Sequence, residues 1–356
     1  MKKKKKVAME QQSFPLNKEE FFNKIAFLLA NKVSFVLFKK PLESAIYLLV
    51  HNSKHDNLSF TLQGFANNVH TSIHNQEILV NEKILELDLS QKFEIVASVE
   101  NKESKYSAKR TYIAYVKRII EKIAKNRVKK VVAARKKKLV KPKNFKAEEL
   151  FVRLCENYPK AFVHLSYSSL GLWIGASPEL LLKKENALYH TVALAGTKLT
   201  KENRKWTSKE EEEQEIVSEY IKQRLEANKA KEIKLSSTYT ASAGHLEHLK
   251  TDISFRFDGK LDTLLMSLHP TPAVCGLPLK RAQKMIFTHE KNQRSLYSGF
   301  LGLDSEEFYY VNLRCMQIFD THIDVYVGAG ITLDSIPEKE WLETEAKALT
   351  LEKFLY

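Results

Sequence analysis

Cysteine is scarce in this chain, with three residues among 356 at Cys155, Cys275 and Cys315. An odd number without CxxC spacing fits a reducing compartment, each thiol expected as a small buried apolar group. Long apolar runs are missing as well. The longest, Ile25–Ala30 and Val33–Phe38, fall far short of the ~18 residues of a membrane span, so no membrane association is expected. The N-terminal MKKKKKVAMEQQ begins like the basic part of a signal peptide, but no apolar segment follows. Residues 1–13 therefore read as a disordered cationic tail, and a cytoplasmic protein is expected. Four common catalytic signatures are also absent: a GxxxxGK phosphate loop, a GxSxG elbow, an HExxH pair and a GxGxxG turn before a helix.

What is present reads as globular: 44% hydrophobic, 10% aromatic and 28% charged residues. The length allows one large core or two subdomains. The formal net charge is +14, and Lys105–Lys146 holds seventeen Lys/Arg against one acid, Glu121. Such a run can serve phosphate neutralisation. Without RNP-like aromatic strands, zinc spacing or a helix-turn-helix pattern, a solvated helix face that attracts small anions is the simpler reading. No nucleic-acid partner is expected.

Apolar periodicity predicts a helix at Lys18–Asn31 and strands at Val33–Phe38, Ala45–Leu49, Ser59–Gln63 and Glu94–Val99. Ser107–Lys125 places Ile113, Val116, Ile119, Ile120 and Ile123 at helical spacing. Lys129–Arg135 reads as a strand and Lys136–Lys146 as an exposed loop. Further on come a helix at Glu148–Asn157 and strands at Ala161–Ser166, Gly171–Ala176, Leu180–Lys184, Ala187–Val192 and Ala193–Ala195. A charged helix at Ser208–Ala227 precedes strands and loops over Lys234–Arg256. Helices at Asp262–Leu268 and Leu279–Glu290, a hairpin-like pair at Phe308–Gln317 and His322–Gly328, and a final helix at Pro337–Phe354 complete the reading. Ser335 and Glu338 fit a capping box for that last helix. Antiparallel strands with interspersed helices predict an α+β fold, a large α/β sandwich of mainly antiparallel sheets around a central cleft. Residues 14–100 are expected to form its N-terminal part and residues 101–356 its catalytic part.

The residues left to carry chemistry are carboxylates and a lysine. Glu210 and Glu213 share a helix face, and Glu340 and Glu343 repeat that spacing on the last helix with Lys347 one turn on. Two acidic edges meeting across a cleft would form an oxygen-only site suited to Mg²⁺. By itself, the run Glu210–Glu213 also fits a solvated helix face.

Eight segments occur in order: KKVVAAR (Lys129–Arg135), GASPELLL (Gly175–Leu182), LAGT (Leu194–Thr197), SKEEEEQEIV (Ser208–Val217), HPTPAVCGLP (His269–Pro278), YSGFLG (Tyr297–Gly302), LRC (Leu313–Cys315) and GAGIT followed by SIPEKEWLETEAK (Gly328–Lys347). Together they resemble the chorismate-binding enzymes: isochorismate synthases, salicylate synthases, anthranilate synthase large components and aminodeoxychorismate synthases. The resemblance covers roughly Ser107 to the C-terminus. It implies that Glu213 and Glu343 hold Mg²⁺ on the ring carboxylate of chorismate, with Glu210 and Glu340 beside them. It implies that Tyr297 and Arg314 contact the enolpyruvyl carboxylate, and that His248, Gly196 and Thr197 face the substrate. Gly328 and Gly330 would let backbone amides approach the same anion.

The family shares a displacement in which a nucleophile adds at ring C2 while the C4 hydroxyl leaves. Glu179 matches the general acid, which needs a raised pKa. Lys130 matches the base of members that add water, whereas ammonia-using members carry another residue there. Lys129 points to the opposite strand face and reads as a solvated charge. Ala273 stands where salicylate synthases typically have threonine. The resemblance therefore implies an isochorismate synthase, formally an isomerase transferring a hydroxyl, feeding menaquinone or siderophore synthesis. A monomer with no obligate glutaminase partner is expected. Salicylate synthase, an amination component and a basic nucleic-acid-binding protein are the rivals. One departure is Gln214, where relatives often have histidine.

Overall fold

The computed structural model describes residues 14–96 and 109–356, apart from positions 56, 203, 244, 245 and 292. The expected tail at 1–13, residues 97–99 of the strand expected at Glu94–Val99 and the first two residues of the helix expected from Ser107 lie outside the described residues.

In chain order, α1 (Lys18–Ala30) is followed by β1 (Phe35–Lys39), β2 (Tyr47–Val50), β3 (Leu58–Gln63), β4 (His70–Asn75), β5 (Leu79–Val80) and α2 (Glu82–Leu85). Then come α3 (Lys109–Lys125), β6 (Lys130–Val140), α4 (Ala147–Asn157), β7 (Phe162–Ser168), β8 (Gly171–Ser177), β9 (Leu180–Glu185) and β10 (Leu188–Leu199). Next are α5 (Ser208–Ala227), β11 (Lys231–Leu235), β12 (Tyr239–Ala243), β13 (Leu246–Arg256), α6 (Leu261–Leu268), β14 (Gly276–Leu277) and α7 (Leu279–His289). The chain closes with β15 (Phe300–Leu303), β16 (Phe308–Val311), β17 (Cys315–Ile318), β18 (His322–Ile331) and α8 (Pro337–Glu352).

Two antiparallel sheets result. The first runs β14-β6-β18-β17-β8-β7-β1-β2-β5, and the second β11-β13-β10-β9-β16-β15-β3-β4 with β12 also on β13. β1 shows why they stack: its Phe35 and Leu37 enter one core and its Val36 and Phe38 another. Side chains alternate faces along a strand, so one that is apolar at successive positions buries both faces. Between the sheets, Phe38 and Phe162 of the first meet Phe308 and Tyr310 of the second. The Phe162 and Tyr310 rings stack at 4.7 Å, and those of Phe38 and Phe308 lie 5.8 Å apart. α1 and α4 cover the outer face of the first sheet, and α5 and α6 that of the second. α3 and α7 cover the β6–β18 end, with Tyr112, Val116, Ile119 and Ile123 of α3 turned inward. The α+β sandwich expected from sequence is what forms.

Three local expectations are corrected. The loop expected at Lys136–Lys146 is strand as far as Val140, because β18 pairs with β6 from Ile331↔Val131 to His322↔Val140. Its cations find distant acids: Arg135 pairs with Glu345, Lys136 with Asp324 at 3.4 Å, and Lys137 with Glu345 at 2.9 Å and Glu352 at 2.7 Å. The segment Phe308–Gln317 is two strands in different sheets, β16 and β17. Finally, α8 starts at Ile336 without a side-chain cap, and Ser335 Oγ instead accepts from the Thr332 amide at 3.1 Å. The capping box belongs to α5, where the Thr207 amide donates to Glu210 Oε2 at 2.8 Å. All three cysteines are free and buried. Among the described residues, no helix is long and apolar enough to cross a membrane.

Candidate active site

The chain crosses from one sheet to the other at Pro178–Glu179, between β8 and β9, and again at Asn312–Arg314, between β16 and β17. These two crossings lie side by side. The Val311 amide donates to the Glu179 carbonyl at 2.9 Å, and the Ala176 amide donates to the Arg314 carbonyl at 3.0 Å. Ser177 Oγ donates to the Val311 carbonyl at 2.5 Å. Arg314 takes a φ of 46°, an unusual conformation for a non-glycine residue that turns the chain between sheets. A carboxyl and a guanidinium are thereby delivered to one place by backbone pairing.

Both line a cavity of about 1370 Å³ between the two sheets' helical flanks. The fifteen candidate site residues all line it: Lys130, Glu179, Gly196, Thr197, Glu210, Glu213, His248, Ala273, Tyr297, Arg314, Gly328, Gly330, Glu340, Glu343 and Lys347. Burial pushes the Glu179 carboxyl up to about 7, against the opposing pull of Lys130, Arg314 and Lys347. A carboxyl in that range can hold and release a proton near neutrality.

Lys130, the first residue of β6, is buried and pairs with Glu213 of α5 at 2.5 Å. Both side chains lie over Gly330 of β18. A Cβ there would stand 2.7 Å from Glu213 Oε1 and 2.8 Å from Lys130 Cε. Gly328, two residues earlier on the same face, leaves room for the Tyr297 hydroxyl, which a Cβ would meet at 2.9 Å. Burial holds the Tyr297 phenol up at about 12, so it stays a neutral donor.

His248 has both ring nitrogens engaged. Nδ1 lies 2.9 Å from the Gly196 carbonyl and 3.2 Å from Thr197 Oγ1, and Nε2 lies 3.0 Å from Arg314 Nη2. A guanidinium can only donate, so Nε2 accepts and Nδ1–H donates to Gly196. Burial and the Arg314 charge depress the ring to about 3, which keeps it neutral in that tautomer. Gly196 itself has a φ of +66°, which a side chain would strain.

The four candidate carboxylates have different surroundings. Glu210 caps α5 and receives Arg204 in a fork at 2.6 and 2.9 Å. Glu343 pairs with Lys347 at 2.7 Å, and Lys347 also donates to the Gly328 carbonyl at 2.9 Å. Glu340 is buried. Among the described residues, no three His, Cys, Asp or Glu side chains gather into a metal cage. Glu213 and Glu343, one from each of two helices, line the cavity and are each partnered by a lysine. Arg204 escaped the sequence reading, and its only sequence signal was a cation just ahead of the α5 start. Gln214 turns away from the cavity and braces α5 on the second sheet, its Nε2 donating to the Ala193 carbonyl at 3.0 Å and Thr251 Oγ1 at 3.1 Å.

A sandwich with this cavity belongs to a defined class: the chain is a member of the chorismate binding enzyme family, whose family model matches residues 20–356. Within it, the chain is similar to the isochorismate synthase EntC of Escherichia coli (strain K12), at 33% identity over 57% of this chain and 56% of that protein. It is also 30% identical to the isochorismate synthase MenF of Pasteurella multocida, over 68% of this chain and 60% of that protein. The matches thus span little more than half the length of these relatives. Among solved structures, the menaquinone-specific isochorismate synthase MenF from E. coli superposes with a TM-score of 0.78 at 20% identity, covering 93% of this chain and 91% of that one. The putative isochorismate synthase DhbC from Bacillus anthracis gives 0.76, also at 20% identity, over 95% of this chain and 99% of that one.

Proposed function

We propose that this chain is an isochorismate synthase. Water adds at ring C2 of chorismate, the ring double bonds shift, and the C4 hydroxyl leaves as water, so the net reaction is an isomerisation. The observation that carries this reading is that a buried carboxyl with its pKa raised to about 7, Glu179, and a buried lysine, Lys130, line one cavity. In this mechanism Lys130, in its uncharged form, takes a proton from the attacking water and Glu179 gives one to the departing C4 oxygen. Arg314 and Tyr297 bind the enolpyruvyl carboxylate, with the guanidinium oriented by neutral His248.

The donor set fits Mg²⁺. Two carboxylate ligands, Glu213 and Glu343, with water and a substrate carboxylate suit an ion that usually keeps several waters. When bound, the ion supplies positive charge that clamps the ring carboxylate. The likeness to the two isochorismate synthases supports addition of water over ammonia, and Ala273 in the cavity wall supports release of isochorismate without pyruvate loss. Likeness to MenF supports use of the product for menaquinone.

The test is incubation of the purified chain with chorismate and Mg²⁺, without ammonia, followed by chromatography of the products. Isochorismate is the expected product. Salicylate with pyruvate, or turnover only when ammonia is supplied, contradicts the reading.

A further inference from the structure

β6 carries Lys130, yet its outer edge has a backbone partner for only a short stretch. β14 pairs with Lys130 and Val131, and the Val132 amide donates to the Cys275 carbonyl at 2.9 Å. Beyond that point two side chains continue the ladder. Arg294 Nη2 donates to the Val132 carbonyl at 2.7 Å, and the Ala134 amide donates to Glu290 Oε2 at 3.1 Å. The same two residues bind each other through Nε to Oε1 and Nη2 to Oε2, both at 2.7 Å. Arg294 Nη1 reaches the Val274 carbonyl at 2.8 Å, and the guanidinium lies over the Phe65 ring at 4.3 Å.

The side chains of Arg294 and Glu290 are 3% and 4% exposed. A buried ion pair of this kind is weak evidence for a stabilising role, since well-packed apolar side chains often replace one without loss. An apolar pair could not, however, satisfy the Val132 and Val274 carbonyls and the Ala134 amide. Neither Arg294 nor Glu290 lines the active-site cavity, but Val132, Ala273 and Val274 do. The pair thus ties the strand that begins with Lys130 to the turn that carries Ala273.

We propose that Arg294 and Glu290 are positioning residues for the reaction, acting as a two-residue surrogate strand that fixes Lys130 and the Ala273–Val274 wall relative to each other. This rests on the isochorismate synthase reading. Misplacement of a reacting group by ~1 Å can lower a rate ~10²-fold. Lysine keeps the charge at position 294 but cannot bind two carbonyls and a carboxylate as a planar fork.

The test compares Arg294→Lys, Glu290→Gln and Arg294→Ala with the native chain, measuring melting temperature, kcat and KM for chorismate. Arg294→Lys and Glu290→Gln are expected to stay folded, with kcat reduced roughly 30- to 100-fold and KM changed less than about threefold. Guanidinium ion at non-denaturing concentration is expected to restore at least about tenfold of the kcat lost by Arg294→Ala, which a loss of folding would not allow. Native-like kcat in folded Arg294→Lys and Glu290→Gln, or a raised KM with kcat intact, overturns the positioning role alone. If the Arg294 variants fail to fold, Glu290→Gln decides by the same split. A native chain that forms no isochorismate overturns the functional reading and this role with it.

Discussion

Lys130 Nζ lies 2.5 Å from Glu213 Oε1, and the two side chains meet over a residue that has none, Gly330. Strand β6, helix α5 and strand β18 thus converge on one buried contact. Replacing Gly330 by alanine would put a methyl 2.7 Å from the carboxylate and 2.8 Å from the lysine stem, so the pair must part. Gly330→Ala is expected to fold, with a melting temperature close to native, and to lose roughly 10²-fold in kcat. Native turnover from a folded Gly330→Ala protein would contradict the importance given to this contact.

Glu179 links activity to stability through pH. Its pKa rises from 4.5 to about 7 in the folded chain because burial disfavours the ionised form. The stability tied to the protonated carboxyl is fully present below the unfolded value and is lost as pH rises through the folded one. Glu179→Gln removes that loss. Its stability relative to the native chain should grow by about 2–3 kcal/mol between pH 5 and pH 8, while kcat falls ~10²- to 10⁴-fold. Urea melts at the two pH values check this, and a pH-independent difference would refute it.

Three buried histidines push the other way in acid. Burial depresses His164 to about 4 and His248 and His269 to about 3. Their contribution is present above the unfolded value near 6.5 and is lost as pH falls below it toward the folded values. At about 1.4 kcal/mol per proton per pH unit, three histidines outweigh the opposing gain from Glu179. Unfolding free energy should therefore fall by about 2–3 kcal/mol per unit below pH 6. A flat profile between pH 6 and pH 5 would count against their neutral burial.

Arg314 is gripped by His248 on one side and faces the cavity on the other. Arg314→Lys keeps the charge but loses the fork that meets a carboxylate and an imidazole together. KM for chorismate is expected to rise about tenfold or more, with a smaller change in kcat. An unchanged KM would remove Arg314 from substrate binding.

The cavity lining was legible because it resides in short motifs spread along the chain. Glu179 and Arg314 sit at sheet crossings and Gly196 at an irregularity within β10, where backbone geometry restricts the sequence. The fold's long-range pairing was less legible. Lys136 and Lys137 read as part of an exposed cationic loop because their partners Asp324, Glu345 and Glu352 lie about two hundred residues away. The switch of sheet at Asn312–Arg314 was hidden for a similar reason. Apolar residues continue on both sides of it, so periodicity reads one strand where there are two. β4, with His70, Ser72 and His74, carries too little apolar alternation to announce itself, and its partner β3 supplies the order. The Arg294–Glu290 pair has no signature at all, since its meaning lies in three backbone groups of other segments.

Addition of water activated by Lys130 is the central claim, and turnover of chorismate in heavy-oxygen water tests it most directly. The account predicts that the native chain forms isochorismate carrying the heavy oxygen in its C2 hydroxyl and that Lys130→Ala, folded, forms almost none. Unlabelled isochorismate from the native chain, or labelled product from Lys130→Ala at the native rate, would contradict it.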